Sequence, residues 1–114
     1  MKTGIEIIAA ERARQTEAEG WSAAHDDEHT DGSLAVAAAC YATQENQGLY
    51  ERGKKLRELI LEHWPWERRW WKPTPNDRVR ELAKAGALIA AEIDRLQRLG
   101  SNTGDNRSRE AASG

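Results

Sequence analysis

The chain of 114 residues leaves room for one domain, residues 1–100, because the polar stretch from Ser101 to Gly114 has too little apolar surface to offset the entropy of ordering it and is expected to form a disordered tail. The net charge of −2 is uneven: residues 1–31 hold eight acids against three bases, a net of −5, and residues 51–81 hold nine bases against six acids, a net of +3. A net-acidic chain with one basic middle excludes a general nucleic-acid binder, whose affinity grows with the number of phosphates neutralised.

In chain order, Thr3 and Glu6 form a capping-box pattern for a first helix from Gly4 to about Glu19, with Ile5, Ile8 and the stem of Arg12 on one face and Gly20 as the stop. The stretch WSAAHDDEHTDG has neither helical nor strand period and reads as a loop, with Asp31 or Ser33 capping the next helix. That second helix, about 33–47, consists mostly of small residues. It includes Cys40, the single cysteine, which excludes a disulfide framework and a multi-cysteine zinc site and reads as a buried thiol. Leu56, Leu59, Ile60 and His63 share one face of a third helix spanning Tyr50–His63, with Gly53 weakening its start.

The segment WPWERRWWKPTPN holds four tryptophans in eight positions, and its prolines forbid a long regular element, leaving room for a short β-hairpin. A last helix, about 77–99, capped by Asn76 or Asp77 and ended by Gly100, repeats Val79, Leu82, Gly86, Ile89, Ile93 and Leu96 at spacings of 3, 4, 3, 4 and 3. This face is expected to pack on the small-residue helix, with Gly86 permitting close approach. The reading is a mainly α domain of three to four helices with long acidic/His-rich and Trp-rich loops. No apolar run nears the roughly 20 residues of a membrane span and no leader opens the chain, so a cytoplasmic location is expected, with no membrane partner.

Three features could carry chemistry. His25, Asp26, Asp27, Glu28 and His29 supply hard and borderline metal donors, but without the HExxH order, and helix capping, pairing with Arg12 or Arg14 and solvation of a turn are the preferred reading over a metal site. Trp21, Trp66, Trp70 and Trp71, with Arg68, Arg69 and Lys72, combine stacking faces with guanidinium and ammonium charge, which suits a nucleobase carrying phosphate, with Asp27 reading sugar or amino hydrogens. The same pairing of Trp and Arg marks protein-interface hot spots. Glu92, beside Ile89 and Ile93, forms a surface ion pair or joins a Mg²⁺ site.

The blocks ERARQTEAEGW, HDDEHTDGSLAVAAACYA, WPW, WWKP and KAGALIAAEIDRL resemble a family of small phage and prophage proteins over most of residues 5–98. The resemblance implies an accessory protein of an infected or lysogenic bacterial host that counters defence by sequestering a nucleotide signal without cleaving it. A fainter similarity, to ryanodine-receptor-repeat domains, rests on Glu19-Gly20-Trp21 and Asp26-Asp27-Glu28, without that repeat's His-Pro and Pro-Tyr steps. All-α nucleotide pyrophosphohydrolases differ, since their ExxE and ExxD metal motifs are missing here.

The leading expectation is therefore a homo-oligomeric, non-catalytic binder of a nucleotide-derived molecule, needing no cofactor. Its site would lie between residues 21–31 and 64–72: Trp21, His25, Asp26, Asp27 and His29 opposite Trp66, Arg68, Arg69, Trp70, Trp71 and Lys72. Two alternatives accompany it. One is a nucleotide hydrolase holding Mg²⁺ or Zn²⁺ on His25, Asp27, His29 or Glu92; the other is a module that captures a host protein through Trp66, Arg69 and Trp70.

Overall fold

Thr3 begins the first helix as its sequence requires: its hydroxyl accepts the Glu6 N–H at 3.2 Å and its own N–H donates to the Glu6 carboxylate at 3.0 Å. The computed structural model describes residues 1–43, 50–51, 54–55 and 62–102. Helix α1 runs Gly4–Ala18. It ends where Gly20, at φ 71°, turns the chain so that the Trp21 N–H returns to the Gln15 carbonyl.

The expected acidic loop is not wholly a loop. Ser22 accepts the His25 N–H and caps a five-residue helix, α2 (Ala23–Asp27), because a capping hydroxyl and two alanines favour a turn of helix too short to show a period. Helix α3 (Ser33–Thr43) comes next, with the Asp31 carboxylate accepting the Ser33 N–H; positions 44–47 of the expected helix lie outside the described residues.

The expected third helix begins differently. Tyr50–Glu51 (β1) pairs antiparallel with Lys54–Lys55 (β2), Tyr50 opposite Lys55 and Glu51 opposite Lys54. Residues 52–53 lie outside the described residues; in the sequence Gly53 is a weak helix former that leaves the start of the expected helix poorly supported. Leu56, Leu59 and Ile60 lie outside the described residues, and His63 sits exposed in a turn. The hairpin thus precedes the tryptophans rather than containing them; the tryptophan segment is irregular except for a 3₁₀ turn at Arg68–Trp70.

The last helix, α4 (Arg78–Asn102), is capped by the Asp77 carboxylate, which accepts the Arg80 N–H, and it continues through Gly100 instead of stopping there. It packs on α3 as expected, but through the opposite face. Leu34, Ala37, Ala38 and Tyr41 of α3 meet Ala85, Leu88 and Ala91 of α4 to form the core. Val79, Leu82, Ile89, Ile93 and Leu96 are instead 45–59% exposed. Alanine faces let the two backbones approach closely, so the dispersion contacts of small side chains win the interior over the larger aliphatics.

Gly86 also serves another neighbour: Ile8 Cδ1 of α1 lies 2.6 Å from the point a Cβ at residue 86 would occupy, so the glycine admits α1 rather than α3. Ile5, one turn earlier, is exposed. Cys40 is a buried thiol, and burial raises its pKa. Among the described residues no helix is long and apolar enough to cross a membrane.

Candidate functional site

The HDDEH run is divided by the short helix that carries it. Asp26 points inward, fully buried, and accepts from the Arg12 guanidinium at 3.0 Å. Asp27 points away and is held by Arg98 of α4 at 2.8 Å, while the same Arg98 amino group also bonds the Ala23 carbonyl. His25 and His29, four residues apart, remain on one side and meet edge to face at 5.1 Å.

From these imidazoles an unbroken series of rings crosses the molecule. Trp21 stacks on His25 with centroids 5.9 Å apart and planes 8° apart. His29 lies 4.9 Å from Trp66, Trp66 meets Trp64 edge-on at 5.4 Å, and Trp64 meets both Tyr41 and Trp71. Tyr41 stacks on Trp71 at 4.7 Å. The tryptophan segment is anchored through backbone: the Tyr41 hydroxyl accepts the Lys72 N–H, and the Lys84 ammonium donates to the Lys72 carbonyl at 2.6 Å. Arg78 reinforces the junction by donating to the Tyr41 and Ala42 carbonyls.

These anchors leave a cleft of about 610 Å³ lined by Trp21, His25, His29, Pro65, Trp66 and Trp70, with Glu19 and Glu67 at its edge. The Trp66 indole N–H is buried without an acceptor among the described residues. Adjoining it, and sharing Glu19, Trp21 and Trp70, is a cavity of about 220 Å³. Four bases face this cavity, Arg14, Lys72, Arg80 and Lys84, against two carboxylates, Glu11 and Glu19.

Glu11 is spent on Arg14, which grips it at 2.6 and 2.7 Å. Burial alone would raise the Glu11 carboxyl, but the Arg14 bonds and charge, with the Gln15 amide, outweigh it and hold the pKa below the usual carboxylate range. Burial, then the neighbouring Arg80 charge, hold the Lys84 ammonium below the ordinary lysine range. Gln15, 2% exposed, lines the same cavity, and its carbonyl oxygen lacks a donor among the described residues.

Trp21, His25, His29, Trp66 and Trp70 therefore come together, and Lys72 joins them from the adjoining cavity. Asp26 and Asp27 do not line either space, and neither do Arg68 and Arg69; Arg69 pairs with Glu67 and lies 5.2 Å above the Trp70 ring. Trp71 belongs to the packing around Tyr41. Glu92 is bound by Arg95 at 2.6 Å, and among the described residues no group of three His, Cys, Asp or Glu side chains is arranged to hold a metal ion.

Sequence reading missed Arg14, Gln15, Tyr41, Arg80 and Lys84. Lys84 left one signal: it interrupts a run of alanines at 83, 85 and 87, where a helix side must face protein, so a base there needs partners. Comparison of the chain with protein-family models, curated proteins and solved structures returned no match.

Proposed function

We propose that the chain captures a nucleotide-derived small molecule, its base among Trp21, Trp66 and Trp70 and its phosphate toward Arg14, Arg80 and Lys72, and holds it without chemical conversion. The observation that carries this reading is the adjacency of an aromatic cleft and a cation-rich cavity that share Trp21 and Trp70. Aromatic faces hold a base with little regard to its identity, and guanidinium groups bind phosphate oxygens in pairs. A cleft of about 610 Å³ is within the usual size of small-molecule sites. The idle Trp66 N–H and Gln15 carbonyl offer one donor and one acceptor besides.

The broader role, a phage-type accessory protein that removes a defence signal from its host, rests on the sequence resemblance alone. Titration calorimetry against mono-, di- and cyclic nucleotides tests the binding. At least one should bind with quenching of tryptophan fluorescence, and Trp70→Ala should weaken it roughly tenfold or more, the value of one lost stacking partner at about 1–3 kcal/mol. A panel in which nothing binds sinks the proposal. Mass spectrometry of the bound molecule after long incubation with Mg²⁺ should return it intact; turnover would favour the metal-dependent hydrolase instead.

A second reading, capture of a host protein, is favoured by Trp70, which is 44% exposed beneath Arg69, the residue pair enriched in interface hot spots. A stoichiometric partner lost on Trp70→Ala, with no nucleotide binding, would select it.

A further inference from the structure

Among the described residues Glu19 is the one carboxylate that borders both the aromatic cleft and the smaller cavity, and it stands where the two spaces share Trp21 and Trp70. Its backbone is fixed by the end of α1: its N–H returns to the Gln15 carbonyl, and Gly20 turns the chain directly after it. The side chain is held far less firmly. A single oxygen, Oε1, carries both of its ion pairs, 3.5 Å from Arg14 Nη1 and 4.0 Å from Lys72 Nζ. These lengths are at the outer reach of such contacts, where partly exposed pairs contribute little. Arg14 itself supplies the contrast, since its Nε and Nη2 grip Glu11 at 2.6 and 2.7 Å.

The cations on the cavity are therefore unequal. The Lys84 ammonium is part of the frame through the Lys72 carbonyl, and one edge of Arg14 belongs to Glu11. Arg14 Nη1 and the Lys72 ammonium have only Glu19 as a carboxylate within ion-pair distance among the described residues. The Arg80 side chain is exposed at the cavity and forms no hydrogen bond or ion pair among the described residues. One carboxylate oxygen at long range does little to saturate these three groups. A phosphate monoester would bring three acceptor oxygens and a charge of about −2. Any molecule that spans the two spaces must also pass the position that Glu19 holds.

We propose that the Glu19 carboxylate is a displaceable stand-in for a ligand's phosphate: the incoming phosphate takes Arg14 Nη1 and Lys72 from it, and Glu19 turns outward to solvent. The exchange rests on the ligand capture proposed above and adds a rule of selection to it. A nucleoside without phosphate enters the aromatic cleft but offers nothing to the cations, so the Arg14–Glu19–Lys72 bridge stays closed. A phosphate-bearing ligand replaces one weakly held anion with a more highly charged one. Glu19 thus lowers the affinity for every anion, and an anion with little attraction for the cations fails to displace it.

Titration calorimetry of the full chain at constant ionic strength tests the exchange, comparing the parent with Glu19→Gln. The probes are inorganic phosphate, a nucleoside monophosphate and the corresponding nucleoside. Neutralising Glu19 should tighten phosphate and the monophosphate by about tenfold or more, because one like charge is removed at close range from a partly exposed site. The nucleoside should bind as before. Adding Lys72→Met to Glu19→Gln should take back most of the gain, and the frame should survive because the backbone of Lys72 holds it. Glu19 lies at the negative end of the α1 dipole, so its neutral replacement should fold; Glu19→Ala is the second variant. Phosphate bound no tighter after substitution overturns the inference. Weaker nucleoside binding after substitution overturns it too, because Glu19 would then accept from the ligand's own donors. Tighter phosphate, with neither nucleoside nor monophosphate bound, upholds the exchange and sinks nucleotide capture. A monophosphate bound equally by both proteins does the reverse.

Discussion

At the scale of residues, the histidine–acid run shows how one sequence feature divides into unlike duties. Five polar residues in a row offered no way to rank them, because a period needs more than one turn to be recognised. The helix α2 supplies the ranking: Asp26 goes inward to Arg12, Asp27 outward to Arg98, and His25 and His29 to the cleft. Asp26 is fully buried and Arg12 is 20% exposed, so the pair is a committed one. Arg12→Met would leave the buried Asp26 carboxylate with the His25 ring nitrogen, 3.4 Å away, in place of a guanidinium, and a loss of up to about 3–5 kcal/mol is expected from denaturant unfolding at pH 7. Arg12→Met together with Asp26→Leu should recover much of it. If the single substitution costs under 1 kcal/mol, about the value of a surface pair, the burial assigned to Asp26 is wrong.

Among the elements, the first helix was legible in detail, since a capping box and a terminal glycine are written in adjacent residues. The pairing of the last helix with the alanine-rich one was legible too, but its orientation was not. Helix α4 has two apolar sides, one of large aliphatics and one of alanines, and periodicity identifies sides without saying which faces inward. Gly86 offers a test at this scale. Replacing it with alanine improves helix propensity by about 1 kcal/mol, yet the new methyl would stand within 3.2 Å of three Ile8 atoms. Two of these are the branch atoms of a stiff side chain, so α1 itself must yield, at a cost of about 1–3 kcal/mol. Gly86→Ala should therefore destabilise by about 1 kcal/mol net, while in an Ile8→Ala background the same change should stabilise. A stabilising Gly86→Ala in the parent chain would contradict the α1–α4 approach.

For the whole molecule, the convergence of residues 21–29 with 64–74 is the property least visible beforehand. It depends on contacts across more than thirty residues of chain, Lys72 with Tyr41 and Arg78 with Ala42, that no local pattern announces. Tyr41 is central to this junction, and burial pushes its phenol up to about 12. An unfolded tyrosine ionises near 10, so the folded state holds a proton that the unfolded state has released between those values. The corresponding stability is complete below about pH 10 and is lost as pH rises through 12. Unfolding curves from pH 8 to 11.5 should show the parent chain losing on the order of 2 kcal/mol more than Tyr41→Phe across this window. Parallel pH profiles would show that ionisation of Tyr41 is not coupled to folding.

Lys72 stands at the edge of the smaller cavity, yet the hydrogen bonds that seat it there use only its amide hydrogen and its carbonyl oxygen, given to Tyr41 and Lys84. Every amino acid except proline carries the same two atoms. Position 72 can therefore change in charge, length or polarity over evolutionary time while the scaffold beneath it stays intact. On the proposed ligand capture, mutation at position 72 alters selectivity at the cost of the side-chain contacts to Glu19 and Trp70 alone, with the frame left standing.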